Sequence, residues 1–232
     1  MPLSDMFGMD RAFVISYSGY ADRLGPMKRE LSRVGIDGDT EIVYTFDNPF
    51  DAVALRSIRH NDKIDRNHSF YNLTMGHYSV LKTSIARGIG RIMVMEDDCR
   101  FLNDTESIRS AMSSAPNDWE VLVLDSFKPP EGKAGATGWL PCTFSRSSAC
   151  YCLNGSGAAK LVSLIEACTR DPGSRLQNID GYFDPHSLFE IAKAYRAYPN
   201  LAIQADTAKS VSGINGRLYR SIGIDCGNYA GF

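Results

Sequence analysis

Apolar and polar positions follow one another along this chain in two periods, one typical of strands and one of helices. Short runs of aliphatic and aromatic residues, such as RAFVISY at 11–17, predict buried strands. Apolar residues three and four positions apart, such as Met27, Leu31 and Val34, predict amphipathic helices. Strands are predicted at 11–17, 40–46, 91–97, 119–127, 147–154 and 201–204. Helices are predicted at 20–36, 47–58, 70–88, 105–114, 155–170 and 185–195.

This order of elements indicates an α/β fold. Strands that alternate with helices form a mostly parallel central sheet flanked by helices on both faces. The stretch KPPEGKAGATGWLPC, rich in Gly, Pro and Lys, is expected to hold no regular element. Because neither an internal repeat nor a linker is visible, we predict a single domain over residues 1–232.

Composition and charge exclude several classes of protein. A net charge of −2 gives no basic field, so a nucleic-acid partner is not expected. No apolar run approaches the ~20 residues that span a bilayer. The opening MPLSDMFGMDRAFVIS lacks the basic and apolar regions of a secretory signal, so a cytoplasmic location is expected. The six cysteines have no zinc-like spacing and are expected to be reduced and mostly buried.

Three consecutive carboxylates stand out in RIMVMEDDCRF, at 91–101. Glu96, Asp97 and Asp98 repel one another by on the order of 1 kcal/mol per pair, and they follow a buried strand. Ligands of open α/β sheets bind at such strand ends, and oxygen donors suit Mg²⁺ or Mn²⁺ held jointly with substrate phosphates. In a strand, Glu96 and Asp98 would project to one side and Asp97 to the other. Asp98 is the first candidate metal ligand and Glu96 the second; a solvated strand end is the alternative.

Two kinds of protein use such a site. A receiver-like signalling domain would use Asp125 as its phospho-acceptor, but the 26 residues from 99 to 124 are too few for its intervening elements. A nucleotide-sugar glycosyltransferase uses a metal to bridge the two phosphates of its donor. The two strand–helix units before the acidic strand fit a nucleoside site, which favours this second reading.

Several segments, in order, resemble glycosyltransferase family 25, the lipopolysaccharide-biosynthesis and collagen-galactosyltransferase group. FVISYSGYADRLGPMKRELSRVGI resembles the family's opening strand, Asp-Arg pair (Asp22, Arg23) and first helix. NLTMGHYSVLKTSIARGIGRIMVMEDDCRF resembles its helix, Gly turn and Glu-Asp-Asp strand. ACYCLNGSGAAKLVSLI, NIDGYF and YPNLAIQ are similar to three later segments. The chain departs from the family where Val80 follows Ser79, a position at which the family usually has histidine.

The resemblance implies a GT-A type fold, a nucleoside diphosphate sugar donor that is most often UDP-linked, and a divalent metal, Mn²⁺ or Mg²⁺. It also implies an inverting transfer to a hydroxyl of a glycan or glycolipid. Residues 11–100 would form the nucleotide-binding half and residues 101–232 the acceptor-side half. A peripheral contact of the basic tail with a membrane face is open, as is a non-catalytic module that binds glycan or donor with the same fold.

Candidate roles follow for individual side chains. An inverting transfer needs a base, and Asp180 is the first candidate because aromatic residues that could stack on a sugar surround it. Its alternative role is a helix cap, and Asp125 is the second candidate base. Donor-binding side chains are expected at or near the ends of the first three strands: Ser16, Tyr17, Arg23, Thr45, Asp47 and Asp97.

Overall fold

Nine strands form two sheets in a computed structural model that describes residues 2–17, 21–45, 68–127, 137–145, 147–170 and 178–205. The strands are β1 Arg11–Tyr17, β2 Thr40–Thr45, β3 Arg91–Glu96, β4 Cys99–Phe101, β5 Val121–Val123, β6 Gly138–Pro141, β7 Cys150–Asn154, β8 Ala194–Tyr198 and β9 Ala202–Gln204. The larger sheet contains seven of them, and β4 pairs with β9 in a smaller one.

Six helices and two 3-10 turns accompany the strands in the described ranges. They are α1 Leu3–Phe7, α2 Ala21–Val34, α3 His68–Ala86, α4 Thr105–Ser113, α5 Gly155–Arg170 and α6 Leu188–Ile191, with 3-10 turns at Asp37–Asp39 and Ile179–Tyr182. Left-handed Gly35 and Gly88, with φ of 76° and 66°, follow α2 and α3 as predicted. The Asp104 side chain accepts a hydrogen bond from the Ser107 backbone N–H at 2.8 Å and caps α4.

The seven-stranded sheet has the order β2-β1-β3-β7-β5-β8-β6. β1 pairs in parallel with β2 and β3, and β5 with β8. β7 is antiparallel to both β3 and β5, and β6 is antiparallel to β8. Five of the seven strands therefore run in one direction. The predicted α/β class with a helix-flanked central sheet is confirmed, and the sheet is mixed.

Helices cover both faces of the sheet because successive strand residues point to opposite sides. In β1, Ala12 and Val14 join the core beneath α1, α2 and α4, whereas Phe13 and Ile15 join the core beneath α3, α5 and α6. No helix within the described ranges is long and apolar enough to cross a membrane.

Glycine lets α3 lie unusually close to the sheet. A β-carbon built on Gly76 would lie 3.0 Å from Ile15 Cγ2 and would overlap the methyl group of Thr45. Since a real side chain could not occupy that space, Gly76 fixes how closely α3 approaches the ends of β1 and β2. This approach sets the position of His77, whose Nε2 lies 3.8 Å from Glu96 Oε1.

Two sequence predictions about elements are wrong, and one lies outside the described residues. The segment expected to be irregular contains β6, an edge strand, where Pro141 is tolerated because one side of the strand needs no partner. The helix predicted at 185–195 ends at Ile191, and Ala194–Tyr198 forms β8 instead. Pairing with β5 and β6 outweighs helix propensity there. The helix predicted at 47–58 lies outside the described residues.

Candidate active site

The three consecutive carboxylates lie at the turn that joins β3 to β4. Glu96 ends β3, and Asp97 and Asp98 form the turn before Cys99 begins β4. All three are buried, with 9%, 4% and 2% of their surface exposed. The alternation expected of a strand therefore ends at Glu96.

Asp97 and Asp98 share the guanidinium of Arg23. Arg23 Nη1 donates to Asp97 Oδ1 and to Asp98 Oδ2, each at 3.2 Å. Ser16 Oγ, at the end of β1, donates to Asp97 Oδ2 at 2.9 Å. The first strand–helix unit, β1 and α2, thus supplies a positive charge and a hydroxyl that hold the segment Glu96–Asp98, called here the acidic turn.

Asp98 is held from the other side by β9. Gln204 Nε2 donates to Asp98 Oδ2 at 3.2 Å, and the Ala205 N–H donates to the Asp98 carbonyl at 2.7 Å. The second carboxylate oxygen, Oδ1, is buried and has no hydrogen-bond partner among the described residues. A buried carboxylate oxygen without a partner is costly, so a ligand that coordinated it would offset that cost.

Glu96 turns in a different direction, toward Asp180. The Ser148 hydroxyl lies 2.7 Å from Glu96 Oε1 and 2.7 Å from Asp180 Oδ1, and so links the two carboxyl groups. A hydroxyl has one hydrogen to donate, so both bonds form together only when one of the carboxyl groups carries a proton. His77 Nε2 lies 3.8 Å from Glu96 Oε1, and His77 Nδ1 lies 2.7 Å from the Tyr151 hydroxyl.

Burial shifts the acid–base equilibria of this acidic cluster, defined as Glu96, Asp97, Asp98 and Asp180. Loss of hydration raises the pKa of Glu96 and of Asp98 to about 7 and that of Asp180 to about 6. The pKa of Asp97 is also raised by burial, against an opposing effect of Arg23. Burial lowers the pKa of His77 to about 3, so this imidazole is neutral at physiological pH.

The donor chemistry of the acidic cluster fits a divalent cation that the substrate would help to hold. Within the described ranges, no three His, Cys, Asp or Glu side chains are arranged as a complete metal site. Mg²⁺ and Mn²⁺ need only one or two carboxylates when phosphates supply other ligands. The unpartnered Asp98 Oδ1 provides such an oxygen, and a cation there would offset the repulsion of Asp98 by Glu96 and Asp97.

Asp125, the second candidate base, is bonded within the protein interior. Ser147 Oγ donates to its Oδ2 at 2.6 Å, and Asn200 Nδ2 donates to its Oδ1 at 3.2 Å. Its exposed fraction is 0%. With both carboxylate oxygens already accepting hydrogen bonds and no contact with solvent, Asp125 has the environment of a structural residue.

The other residues predicted to bind the donor, Thr45, Tyr17 and Asp47, make no described contact with the acidic cluster. Thr45 is buried at the end of β2, where its methyl group packs beside Gly76. The Tyr17 backbone pairs with Thr45 in the sheet. The Tyr17 side chain and the whole of Asp47 lie outside the described part of the structure.

Sequence reasoning did not identify Ser148, His77 or Tyr151 as parts of the site. Ser148 and Tyr151 belong to the segment around β7, and β7 reaches the acidic strand by lying antiparallel beside β3. The sequence contained one signal, the serines of SRSSAC directly before a buried strand. Hydroxyl groups that precede a buried strand are candidates for hydrogen bonds to buried carboxylates.

No family model matches the chain. A curated human protein, inactive glycosyltransferase 25 family member 3, is 26% identical over 201 residues, which cover 77% of this chain and 32% of that protein. The match confirms the resemblance to glycosyltransferase family 25. The chain thus spans about a third of the length of this family 25 relative.

Solved structures with a similar backbone include a cytidylyltransferase from Leptospira borgpetersenii serovar Hardjo-bovis (15% identity, TM-score 0.46), covering 85% of this chain and 82% of that one. Another is the apo form of mouse xyloside xylosyltransferase 1 (7% identity, TM-score 0.46), covering 93% of this chain and 94% of that one. At these TM-scores neither likeness carries a functional argument.

Proposed function

We propose that this chain is a metal-dependent glycosyltransferase. It would transfer a sugar with inversion from a UDP-linked donor to a hydroxyl of a glycan or glycolipid. The observation that carries this proposal is the link through Ser148. It joins Glu96 of the acidic turn to Asp180, a residue 84 positions later, at 2.7 Å to each carboxyl group.

The acidic turn would bind the donor. Asp98, with Glu96 beside it, would hold a Mg²⁺ or Mn²⁺ ion, which supplies positive charge to the diphosphate as the sugar leaves. Arg23 and Ser16 fix the orientation of Asp97 and Asp98, and the Arg23 guanidinium adds positive charge at the same place. In this proposal residues 11–100 carry the nucleotide and residues 101–232 carry the acceptor.

Asp180 would be the base. An inverting transfer needs a carboxylate that accepts the proton of the attacking hydroxyl, and this carboxylate must lie close to the donor site. Asp180 is held beside Glu96, and its second oxygen accepts a hydrogen bond from Asn178 Nδ2 at 3.0 Å. Asp125 is less suited because both of its oxygens are already bonded in the interior.

A non-catalytic module that binds donor or glycan is the second candidate function, and one observation favours it. The curated family 25 relative carries the word inactive in its name. The receiver-like alternative has lost support. Its acceptor, Asp125, has no exposed surface, and β7 separates β3 from β5 in the sheet.

Donor hydrolysis tests the proposal directly. The protein is incubated with UDP-galactose, UDP-glucose, GDP-mannose and TDP-glucose, with Mn²⁺ or with EDTA, and nucleotide release is measured. We expect Mn²⁺-dependent release from at least one donor. Asp180→Asn should lower release at least roughly 100-fold while calorimetric binding of that donor is retained. Asp98→Asn should weaken Mn²⁺-dependent binding, and Asp104→Asn, at an exposed helix cap, is the matched control.

The outcomes separate the candidate functions. Binding of a donor without release by the wild-type protein would favour the non-catalytic module. Absence of both binding and release for every donor would reject the transferase. Equal activity of the wild type and Asp180→Asn would reject Asp180 as the base.

A further inference from the structure

Ser148 has an unusual position, because its side chain touches carboxyl groups from two separate parts of the fold. Glu96 belongs to β3, whereas Asp180 lies in the 3-10 turn Ile179–Tyr182. Ser148 is 1% exposed, so water does not compete for these bonds. Its hydroxyl is therefore a fixed connection between the acidic turn and the later half of the chain.

The sheet fixes the backbone on the Glu96 side of this connection. The Glu96 N–H donates to the Ala149 carbonyl at 3.0 Å, continuing the β3–β7 ladder in which Met95 pairs with Cys150. Ser148 directly precedes Ala149, so its position relative to Glu96 follows from strand register. The pairing of β7 with β3 therefore places the Ser148 side chain beside Glu96.

Hydrophobic packing fixes the other side only in part. Ile179, Tyr182 and Phe183 are buried beside α3 and α5, and they hold the 3-10 turn against the core. The Asp180 side chain can still rotate about its own bonds. Among the described residues, Asn178 Nδ2 donates to one of its oxygens and the Ser148 hydroxyl to the other, and the Ser148 backbone N–H also donates to this carboxyl group.

We propose that Ser148 is a positioning residue for the transfer reaction: its hydroxyl donates its hydrogen to Asp180 and holds this carboxylate in the orientation needed to accept the proton of the attacking hydroxyl, whether or not Glu96 carries the proton that completes the second bond. This inference rests on the proposed function. Displacement of a catalytic group by about 1 Å can cost roughly 100-fold in rate, so losing the bond from the Ser148 hydroxyl should appear in turnover. Donor affinity rests mainly on Asp98, which Ser148 does not touch, so it should change less than turnover.

The test compares Ser148→Ala and Ser148→Thr with a neighbouring control, Ser147→Ala. Ser147 is also a buried serine that bonds to a carboxylate, but its partner is Asp125. The measured quantities are kcat and KM for whichever of UDP-galactose, UDP-glucose, GDP-mannose or TDP-glucose the wild type hydrolyses fastest, together with the urea midpoint of each variant. We expect Ser148→Ala to lower kcat roughly 10- to 100-fold with KM within about twofold. Ser148→Thr, which keeps the hydroxyl, should retain most of the wild-type kcat.

Each other result overturns the inference in a recognisable way. A Ser148→Ala kcat equal to wild type removes the positioning role while leaving the transferase intact. Equal losses of kcat in the Ala and Thr variants, or in Ser147→Ala and Ser148→Ala, indicate a general structural role instead. If the wild type hydrolyses none of the four donors, the proposed function fails, and the positioning role is rejected with it.

Discussion

Replacing Asp98 with asparagine should stabilise the protein, and by more at pH 8 than at pH 5. Asp98 is 2% exposed, and burial raises its pKa from 3.8 to about 7. The carboxylate form is therefore costly in the folded state. Asparagine has nearly the same shape and carries no charge, so it removes this cost without opening a cavity.

The sign and size of the effect follow from proton linkage. Between about pH 4 and pH 7 the folded protein keeps a proton on Asp98 that the unfolded chain releases. The contribution of Asp98 to stability is therefore lost as pH rises through this window, and it levels off above pH 7. With pKa values of 3.8 unfolded and about 7 folded, the cost is on the order of 2 kcal/mol at pH 5 and on the order of 4 kcal/mol at pH 8. The stability gap between the variant and the wild type should widen by roughly 2–3 kcal/mol.

Urea unfolding at pH 5, 6, 7 and 8, in EDTA, measures this gap. Fluorescence of the buried Trp119 can follow the transition. The change of the gap with pH is the decisive quantity, because its absolute size also includes the altered contacts of Arg23 and Gln204. Asp104→Asn serves as the control: hydrogen bonds to Ser107 lower the pKa of that exposed carboxyl, so its gap should not change over this range.

Two results would refute the reasoning. A gap that stays constant from pH 5 to pH 8 would mean that Asp98 ionises normally in the folded protein. A gap that narrows with rising pH would mean that Arg23 stabilises the carboxylate by more than burial destabilises it.

Two further changes test contacts that involve none of the four carboxyl groups of the acidic cluster. Gly76→Ala should cost about 1–3 kcal/mol in urea unfolding, because its methyl group would overlap Thr45. Gly38→Ala, which meets no atom within 4 Å, should cost much less, and equal losses would contradict the close approach of α3. Glu30→Ala should cost about 1–3 kcal/mol, because Glu30 Oε1 accepts the Phe101 N–H at 2.7 Å in the interior. Thermal unfolding of the two variants measures this loss. Glu106→Ala, on the exposed surface of α4, should leave the thermal midpoint nearly unchanged. An equal shift of the midpoint in Glu30→Ala and Glu106→Ala would contradict the argument.

Local elements were readable from the sequence because local patterns decide them. The apolar run before Glu96 predicted β3, and helical spacing with a following glycine predicted α2 and α3 with their ends. The Asp-Arg pair pointed to Arg23, whose guanidinium donates a hydrogen bond to Asp97 in the structure. These features depend on neighbours a few positions apart.

Contacts between distant strands could not be read in the same way. Nothing in CYCLN shows that β7 lies between β3 and β5 and runs against both. That placement is what brings Ser148 to Glu96. The strand β8, AYRAY, was hidden as well, because its alanines and arginine favour helix until β5 and β6 supply partners.

The pairing of β4 with β9 has a consequence for biosynthesis. Asp98 is translated before half of the 232 residues exist, whereas Gln204, its partner, follows 106 positions later. Of the residues that contact Asp98, Arg23 from the first strand–helix unit has been made well before then. Because distant pairings form only after the cost of closing a long loop is met, β9 joins the turn late. In a nascent chain that has just completed β4, Asp98 therefore still lacks the contacts that β9 will supply, and folding covers this carboxyl group only when β9 is made.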